Sequence, residues 1–81
     1  MKVFVKVFAN LRDYIHPKPA IGEKIELDVK PGTTVRELIK RLGIPEDQVA
    51  IVFVDGVGKS LDYALKKEGT NISLFSPVGG G

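Results

Sequence analysis

The chain has no cysteine, no tryptophan and only one histidine among its 81 residues. The absence of cysteine excludes disulfide bonds, thiolate zinc sites, iron–sulfur ligation and a cysteine nucleophile. One histidine, His16, cannot build a histidine-rich metal site. Twelve Lys and Arg against ten Asp and Glu leave a net charge of +2, and the charges are scattered. We therefore expect no nucleic-acid partner, which would need a concentrated basic face.

The composition is that of one small folded domain. Hydrophobic residues make up 43% and charged residues 27% of the chain, which disfavours a disordered or membrane-embedded protein. The apolar N-terminus is interrupted by Lys2 and Lys6, so it is neither a signal peptide nor a membrane span. We expect a cytoplasmic protein without a membrane partner. Its small size disfavours a deep substrate cleft and favours a module that another protein recognises.

Two segments of alternating side chains predict strands. In the first, residues 3–9, valines share one face, and the other face carries Lys2, Phe4, Lys6 and Phe8. In the second, Ile25, Leu27 and Val29 alternate with charged residues. We expect the two strands to form a hairpin. Residues 10–22 between them contain Pro17 and Pro19, which predict a connecting loop.

One helix is strongly indicated. Thr34 and Glu37 fit a capping box, and apolar residues follow at helical spacing to Leu42. Gly43 suits the helix end, where a left-handed residue closes the last turn.

The second half of the chain predicts two further strands. The apolar run 49–54 predicts a central strand covered on both sides, and Asp55 and Gly56 predict a hairpin turn. Ser60 predicts the start of a helical turn over 61–65, and residues 72–75 a last strand. The pattern indicates an α+β domain, a mixed sheet of four to five strands around one main helix. We assign residues 1–75 to this domain and 76–81 to a flexible, extended tail.

No residue set supports catalysis or metal binding. Glu26 and Asp28 share a strand face with Lys24 and Lys30, which predicts a solvated, self-compensated surface. We therefore expect no metal site, no bound cofactor and no independent enzymatic activity.

Aromatic side chains predict a partner surface instead. Phe4, Phe8 and Phe75 point away from the predicted core, and one helix covers only one face of a sheet. An exposed apolar patch usually marks an interaction site. The alternative is that the loop 10–22 covers these rings.

The glycines at the end of the sequence are a second candidate feature. Gly79, Gly80 and Gly81 are costly to order and contribute nothing to packing. A segment without side chains can thread a narrow channel and place a carboxylate in a partner's active site. The alternative is an ordinary frayed terminus.

Four segments together resemble one protein family. They are Val-Phe-Val-Lys-Val-Phe-Ala-Asn-Leu-Arg-Asp at 3–13, Pro-Gly-Thr-Thr-Val-Arg-Glu-Leu at 31–38, Val-Asp-Gly at 54–56 and Phe-Ser-Pro-Val-Gly-Gly-Gly at 75–81. On these segments the chain resembles the ubiquitin-like sulfur carriers of the MoaD/ThiS family, most of all the small subunit of molybdopterin synthase.

The resemblance implies a β-grasp fold and a specific chemistry. A ubiquitin-activating-like enzyme of the MoeB/ThiF type would use ATP to adenylate the Gly81 carboxylate, and a sulfur donor would convert it to a thiocarboxylate. The tail would then enter the MoaE-type large subunit and donate sulfur for the molybdenum or tungsten cofactor. Gly81 would be the reactive residue, with Gly79 and Gly80 in the tail. Phe8 and Phe75 lie where the partner-contacting aromatics of the family lie, and we also assign partner contacts to Phe4, Pro77 and Val78.

Three alternatives remain open at this point. One is a carrier that serves another product, such as thiamin thiazole or thiolated tRNA. The others are a modifier conjugated to lysines of other proteins and a plain interaction domain whose tail has no role.

Overall fold

A computed structural model describes residues 1–77 of the chain. They form a five-stranded sheet with one α-helix. The elements are β1 (Lys2–Val7), β2 (Ile25–Asp28), α1 (Val35–Leu42), β3 (Ile51–Val54), β4 (Val57–Gly58) and β5 (Thr70–Phe75). The strand order is β2-β1-β5-β3-β4, with β1 and β5 parallel and the other neighbours antiparallel. The predicted α+β class, with a mixed sheet and one main helix, is confirmed.

Both ends of α1 are closed as the sequence predicts. The Thr34 hydroxyl accepts a hydrogen bond from the Glu37 amide, and the Glu37 carboxylate accepts one from the Thr34 amide at 2.9 Å. Gly43 adopts φ +80°, a left-handed conformation that glycine adopts without steric cost, and its amide donates to the carbonyls of Ile39 and Lys40. The helix is therefore delimited by local chemistry.

The core lies between α1 and one face of the sheet. Val35, Leu38 and Ile39 of the helix are fully buried, as are alternate residues of the central strands. These strand residues are Val3, Val5 and Val7 of β1 with Ile72 and Leu74 of β5. Since successive strand residues point to opposite faces, the intervening residues form a second, outer face.

The connection between β1 and β2 is more structured than a plain loop. Residues Ala9–Tyr14 form a 3-10 helix, and the first strand ends at Val7 instead of continuing to Ala9. Leu11 of this helix is fully buried in the core, and Ile15 packs against the same cluster. The buried Leu11 anchors the connection to the core that α1 shares with the sheet.

The predicted helical turn at 61–65 is wrong. Ser60 begins a single turn, in which its carbonyl accepts from Tyr63, and the segment then runs beside the start of α1. The carbonyls of Leu61 and Tyr63 accept from the amides of Arg36 and Val35 at 2.9 and 3.0 Å. Amides in the first helical turn have no partner within their own helix. The carbonyls of Leu61 and Tyr63 therefore serve the first turn of α1 and are not used in a helix of their own.

The apolar run 49–54 is also not a strand covered on both sides. β3 lies second from the edge of the sheet, and its burial alternates. Val52 and Val54 are buried, whereas Ile51 and Phe53 are 51% and 36% exposed. The sequence run shows no alternation because both faces carry apolar residues. Its outer face is uncovered within the described part of the chain.

The hairpin turn predicted at Asp55 and Gly56 is present. Both residues have positive φ (49° and 82°), and they join β3 to β4. Asp55 also accepts a hydrogen bond from the Asn71 amide at 3.0 Å, which ties the turn to β5.

Residues 1–77 contain no helix of the length and apolarity that crossing a bilayer requires.

Candidate functional site

Three aromatic rings form a cluster on the outer face of the sheet. Phe8 and Phe75 are stacked, with ring centroids 4.6 Å apart and an angle of 3° between their planes. Phe53 contacts Phe75 edge-on, at 5.7 Å and 89°. Ile51 lies opposite Phe75 in the strand register and adds an exposed aliphatic side chain. We call Phe8, Phe53, Phe75 and Ile51 the aromatic cluster.

The sequence-predicted rings are only partly brought together. Phe8 and Phe75 lie in the aromatic cluster, whereas Phe4 lies further along β1, with Lys6 between it and Phe8 on the same face. The Lys24 amine lies over the Phe4 ring, 5.8 Å from its centroid, and forms a cation–π contact with it. Phe4, Phe8 and Phe75 all remain half-buried, so the connection 10–22 does not bury them.

Phe53 and Ile51 belong to this surface, although the sequence did not single them out. The signal was present, because Ile51 and Phe53 alternate with Val52 and Val54 in the same way that Phe4 and Phe8 alternate with valines. An unbroken apolar run hides this period, since an outer face that binds a partner is as hydrophobic as a core face.

The last described residues fix where the tail begins. The Phe75 carbonyl accepts from the Ala50 amide at 2.8 Å, and the Leu74 carbonyl accepts from the Phe8 amide at 3.1 Å. Ser76 is 5% exposed, and its hydroxyl has no hydrogen-bond partner among the described residues. Pro77 follows and is exposed. The predicted site residues Val78, Gly79, Gly80 and Gly81 lie outside the described residues.

The charges around the outer face are partly compensated. The Lys2 amine lies 3.2 Å from the Glu26 carboxylate, and this hydrogen-bonded ion pair raises the pKa of Lys2 above its usual value. On the helical side, Arg36 binds both Glu46 and Asp62. Within residues 1–77 no three His, Asp or Glu side chains are arranged to hold a metal ion. The notable feature of the site is thus its apolar surface.

A match to a protein-family model shows which family this chain belongs to. The model, described as ThiS family, matches residues 5–81, which is nearly the whole chain. The chain belongs to the ThiS family. The ThiS family consists of small ubiquitin-like sulfur carriers, so the resemblance inferred from the sequence is confirmed. No curated protein matches this sequence.

Solved structures show the same fold as this ThiS family member. SAMP1 from Haloferax volcanii superposes with a TM-score of 0.67 over 100% of both chains, at 23% identity. A second structure, small archaeal modifier protein 1 of H. volcanii, gives 0.67 at 21% identity, over 94% of this chain and 97% of the other.

A structure from Pyrococcus furiosus has higher identity. It is described as a putative molybdopterin converting factor, subunit 1, and gives a TM-score of 0.66 at 26% identity, over 94% of this chain and 97% of that chain. These neighbours confirm the ubiquitin-like β-grasp architecture.

Proposed function

We propose that this ThiS family member carries sulfur as a thiocarboxylate on Gly81 and donates it as the small subunit of a molybdopterin synthase. The observation that carries the proposal is the family match, which runs through Gly81. The likeness to the putative molybdopterin converting factor subunit of P. furiosus supports molybdopterin as the product.

The chemistry needs no catalytic side chain on the carrier. A Gly81 carboxylate oxygen attacks the α-phosphorus of ATP, pyrophosphate leaves, and an acyl-adenylate forms. A hydrosulfide-level sulfur then attacks the acyl carbon, AMP leaves with the oxygen that was bonded to phosphorus, and a thiocarboxylate remains. The carboxylate alone is a poor acyl donor, so AMP supplies the leaving group. Both steps take place in the site of an activating enzyme of the MoeB/ThiF type.

The aromatic cluster supplies the docking surface in this proposal. It lies on the outer face beside the end of β5, and Ser76 and Pro77 lead directly from Phe75 into the tail. An activating enzyme, and later a MoaE-type large subunit, would bind the aromatic cluster while the tail enters the active site of that partner. Interfaces are enriched in aromatic residues at their buried centre, which fits the three clustered phenylalanines.

A second candidate function is conjugation to lysines of other proteins. It is favoured by the fold shared with the two Haloferax structures, one of which is described as a small archaeal modifier protein. Both functions begin with adenylation of Gly81, and they differ in the nucleophile that attacks the acyl-adenylate. The same first step serves sulfur carriers for thiamin thiazole or tRNA.

The deciding experiment is intact-mass analysis of the protein co-expressed with its activating enzyme. We expect a mass gain equal to replacing one oxygen by one sulfur, located in the C-terminal peptide. A variant lacking Gly80 and Gly81 is the control and should show no gain. An unchanged wild-type mass, with the enzyme active on another carrier, would contradict the proposal.

Two further experiments test whether molybdopterin is the product and whether the protein is conjugated to lysines. Thiocarboxylated protein mixed with the MoaE-type subunit and the pterin precursor should yield molybdopterin. Failure with a competent large subunit would reject this product while leaving the carrier chemistry intact. Slower-migrating species on a denaturing gel that disappear on deletion of Gly80 and Gly81 would support the modifier function.

A further inference from the structure

A shallow depression adjoins the aromatic cluster on the outer face of the sheet. It has a volume of about 220 Å³ and is lined by Phe4, Lys6, Lys24, Asn71, Ile72 and Ser73. Lys6 is half-buried on β1, between Phe4 and Phe8. The Lys24 amine lies over the ring of Phe4. Two cations and the polar groups of Asn71 and Ser73 therefore surround one small concavity.

Lys6 and Lys24 line the same depression, and among residues 1–77 neither forms an ion pair with a carboxylate. The paired register of β1 and β2 ends with Val5 opposite Ile25, and Lys6 and Lys24 are the residues directly beyond this last pair. Among residues 1–77, no Asp or Glu side chain lies within 4.0 Å of either amine. Two like charges that line one small depression repel each other. By contrast, the amine of Lys2, two residues before Phe4, forms an ion pair with the Glu26 carboxylate.

An anionic group placed in the depression would relieve this repulsion. The lysine amines, the Ser73 hydroxyl and the side-chain amide of Asn71 are all hydrogen-bond donors, and a carboxylate accepts such bonds. The depression is also continuous with the aromatic cluster, since Lys6 precedes Phe8 by two residues and Ser73 precedes Phe75 by two. A protein docked on the cluster would cover the depression at the same time.

We propose that the depression receives an Asp or Glu side chain of the activating enzyme that docks on the aromatic cluster. This inference rests on the proposed function and adds the chemistry of the partner surface, an apolar contact flanked by a carboxylate. Charges at the rim of an interface raise the association rate and exclude wrong partners, while the apolar centre supplies the affinity. The lysine pair acts as a specificity determinant in this arrangement.

The test compares variants in binding to the activating enzyme of the same organism, measured by calorimetry. Lys6→Gln/Lys24→Gln removes both cations. Lys40→Glu is the matched control, because it lowers the net charge by the same amount from an exposed position on α1, across the sheet. We expect the double variant to bind about tenfold more weakly, with a smaller dependence on salt than the wild type. The control and a charge-conserving Lys6→Arg/Lys24→Arg variant should bind nearly as the wild type does.

Three results would overturn the proposal. The first is a double glutamine variant that binds as tightly as the wild type. The second is an equal weakening by Lys40→Glu, which would indicate a general charge effect, and the third is a wild type that fails to bind the enzyme. Thermal denaturation checks the fold, and we expect the double glutamine variant to be at least as stable as the wild type. Wild-type thiocarboxylation with unchanged binding of the double variant would reject this inference alone, whereas absent thiocarboxylation would reject the proposed function.

Discussion

Truncating Phe75 should destabilise the domain more than truncating Phe8. Phe75 contacts two rings, Phe8 by stacking and Phe53 edge-on, whereas Phe8 has one ring contact in the cluster. Each aromatic pair contributes about 0.5–1.5 kcal/mol beyond its buried area. Breaking two such pairs in Phe75→Ala should therefore cost about 1–3 kcal/mol, and breaking one pair in Phe8→Ala about half of that. In a domain of this size, 1 kcal/mol corresponds to about 4–8 °C in Tm.

The measurement is urea denaturation of the two single variants and the double variant, followed by circular dichroism. The double-mutant cycle should give a coupling energy of about 0.5–1.5 kcal/mol for Phe8 with Phe75. The same cycle for Phe4 with Phe75 is the control, and we expect those effects to add, because Phe4 lies apart from the cluster. Equal losses of stability for Phe75→Ala and Phe8→Ala, or no coupling between them, would refute the reasoning from ring pairs.

Three further predictions concern the helix cap, the base of the tail and the tail itself. Hydrogen bonds from Thr34 lower the pKa of Glu37 below its usual 4.5, so the stability it contributes is present above that pH and is lost as the pH falls through the lowered pKa. Glu37→Gln should therefore flatten the fall in Tm on acidification, and parallel Tm curves would contradict this. Ser76→Ala should leave the free energy of unfolding unchanged or raise it by up to about 1 kcal/mol, because the buried hydroxyl lacks a partner among residues 1–77; a clear loss in urea denaturation would be the opposite result. Gly81→Ala should keep the wild-type Tm and reduce thiocarboxylate formation measured by mass, and loss of the fold would reject that view.

The helix and the inner face of the sheet could be predicted because local residues specify them. The first turn of α1 is capped by Thr34 and Glu37, and the last turn ends at Gly43. Each of these residues lies within the helix or next to it in sequence. The valines of β1 likewise alternate with lysines and phenylalanines, so burial on one face is visible in the sequence. These features do not depend on distant partners.

The local pattern of residues 61–65 predicts the wrong structure because their hydrogen-bond partners are distant in sequence. Leu61 and Tyr63 lie near the start of α1 only in the folded protein, and their carbonyls then accept from its first amides. A capping serine and apolar spacing indicate a helical turn equally well in isolation. Hydrogen bonds to α1 therefore determine the conformation of this segment and override its local helical preference.

The candidate site was half predictable for a related reason. The outward position of Phe8 and Phe75 is visible because they alternate with the core residues Val7 and Leu74. That of Phe53 is not visible, since this residue lies inside a run where every residue is apolar, and apolarity alone does not distinguish a surface that binds a partner from a core. The lysine pair could not be predicted from the sequence, because Lys6 and Lys24 line one depression only once β1 and β2 have paired across a long connection.

The position of β5 has a consequence for how the protein is made. The last strand in sequence lies in the middle of the sheet, where Val3 pairs with Thr70 and Val54 with Ile72. Pairing over such separations is slow and has to wait for both segments. β5 joins β1 to β3, so the pairs β1–β2 and β3–β4 cannot form one sheet until residues 70–75 have been synthesised. The domain is therefore expected to fold as one unit after its last strand has been made, and a truncation that removes β5 should leave two separate strand pairs.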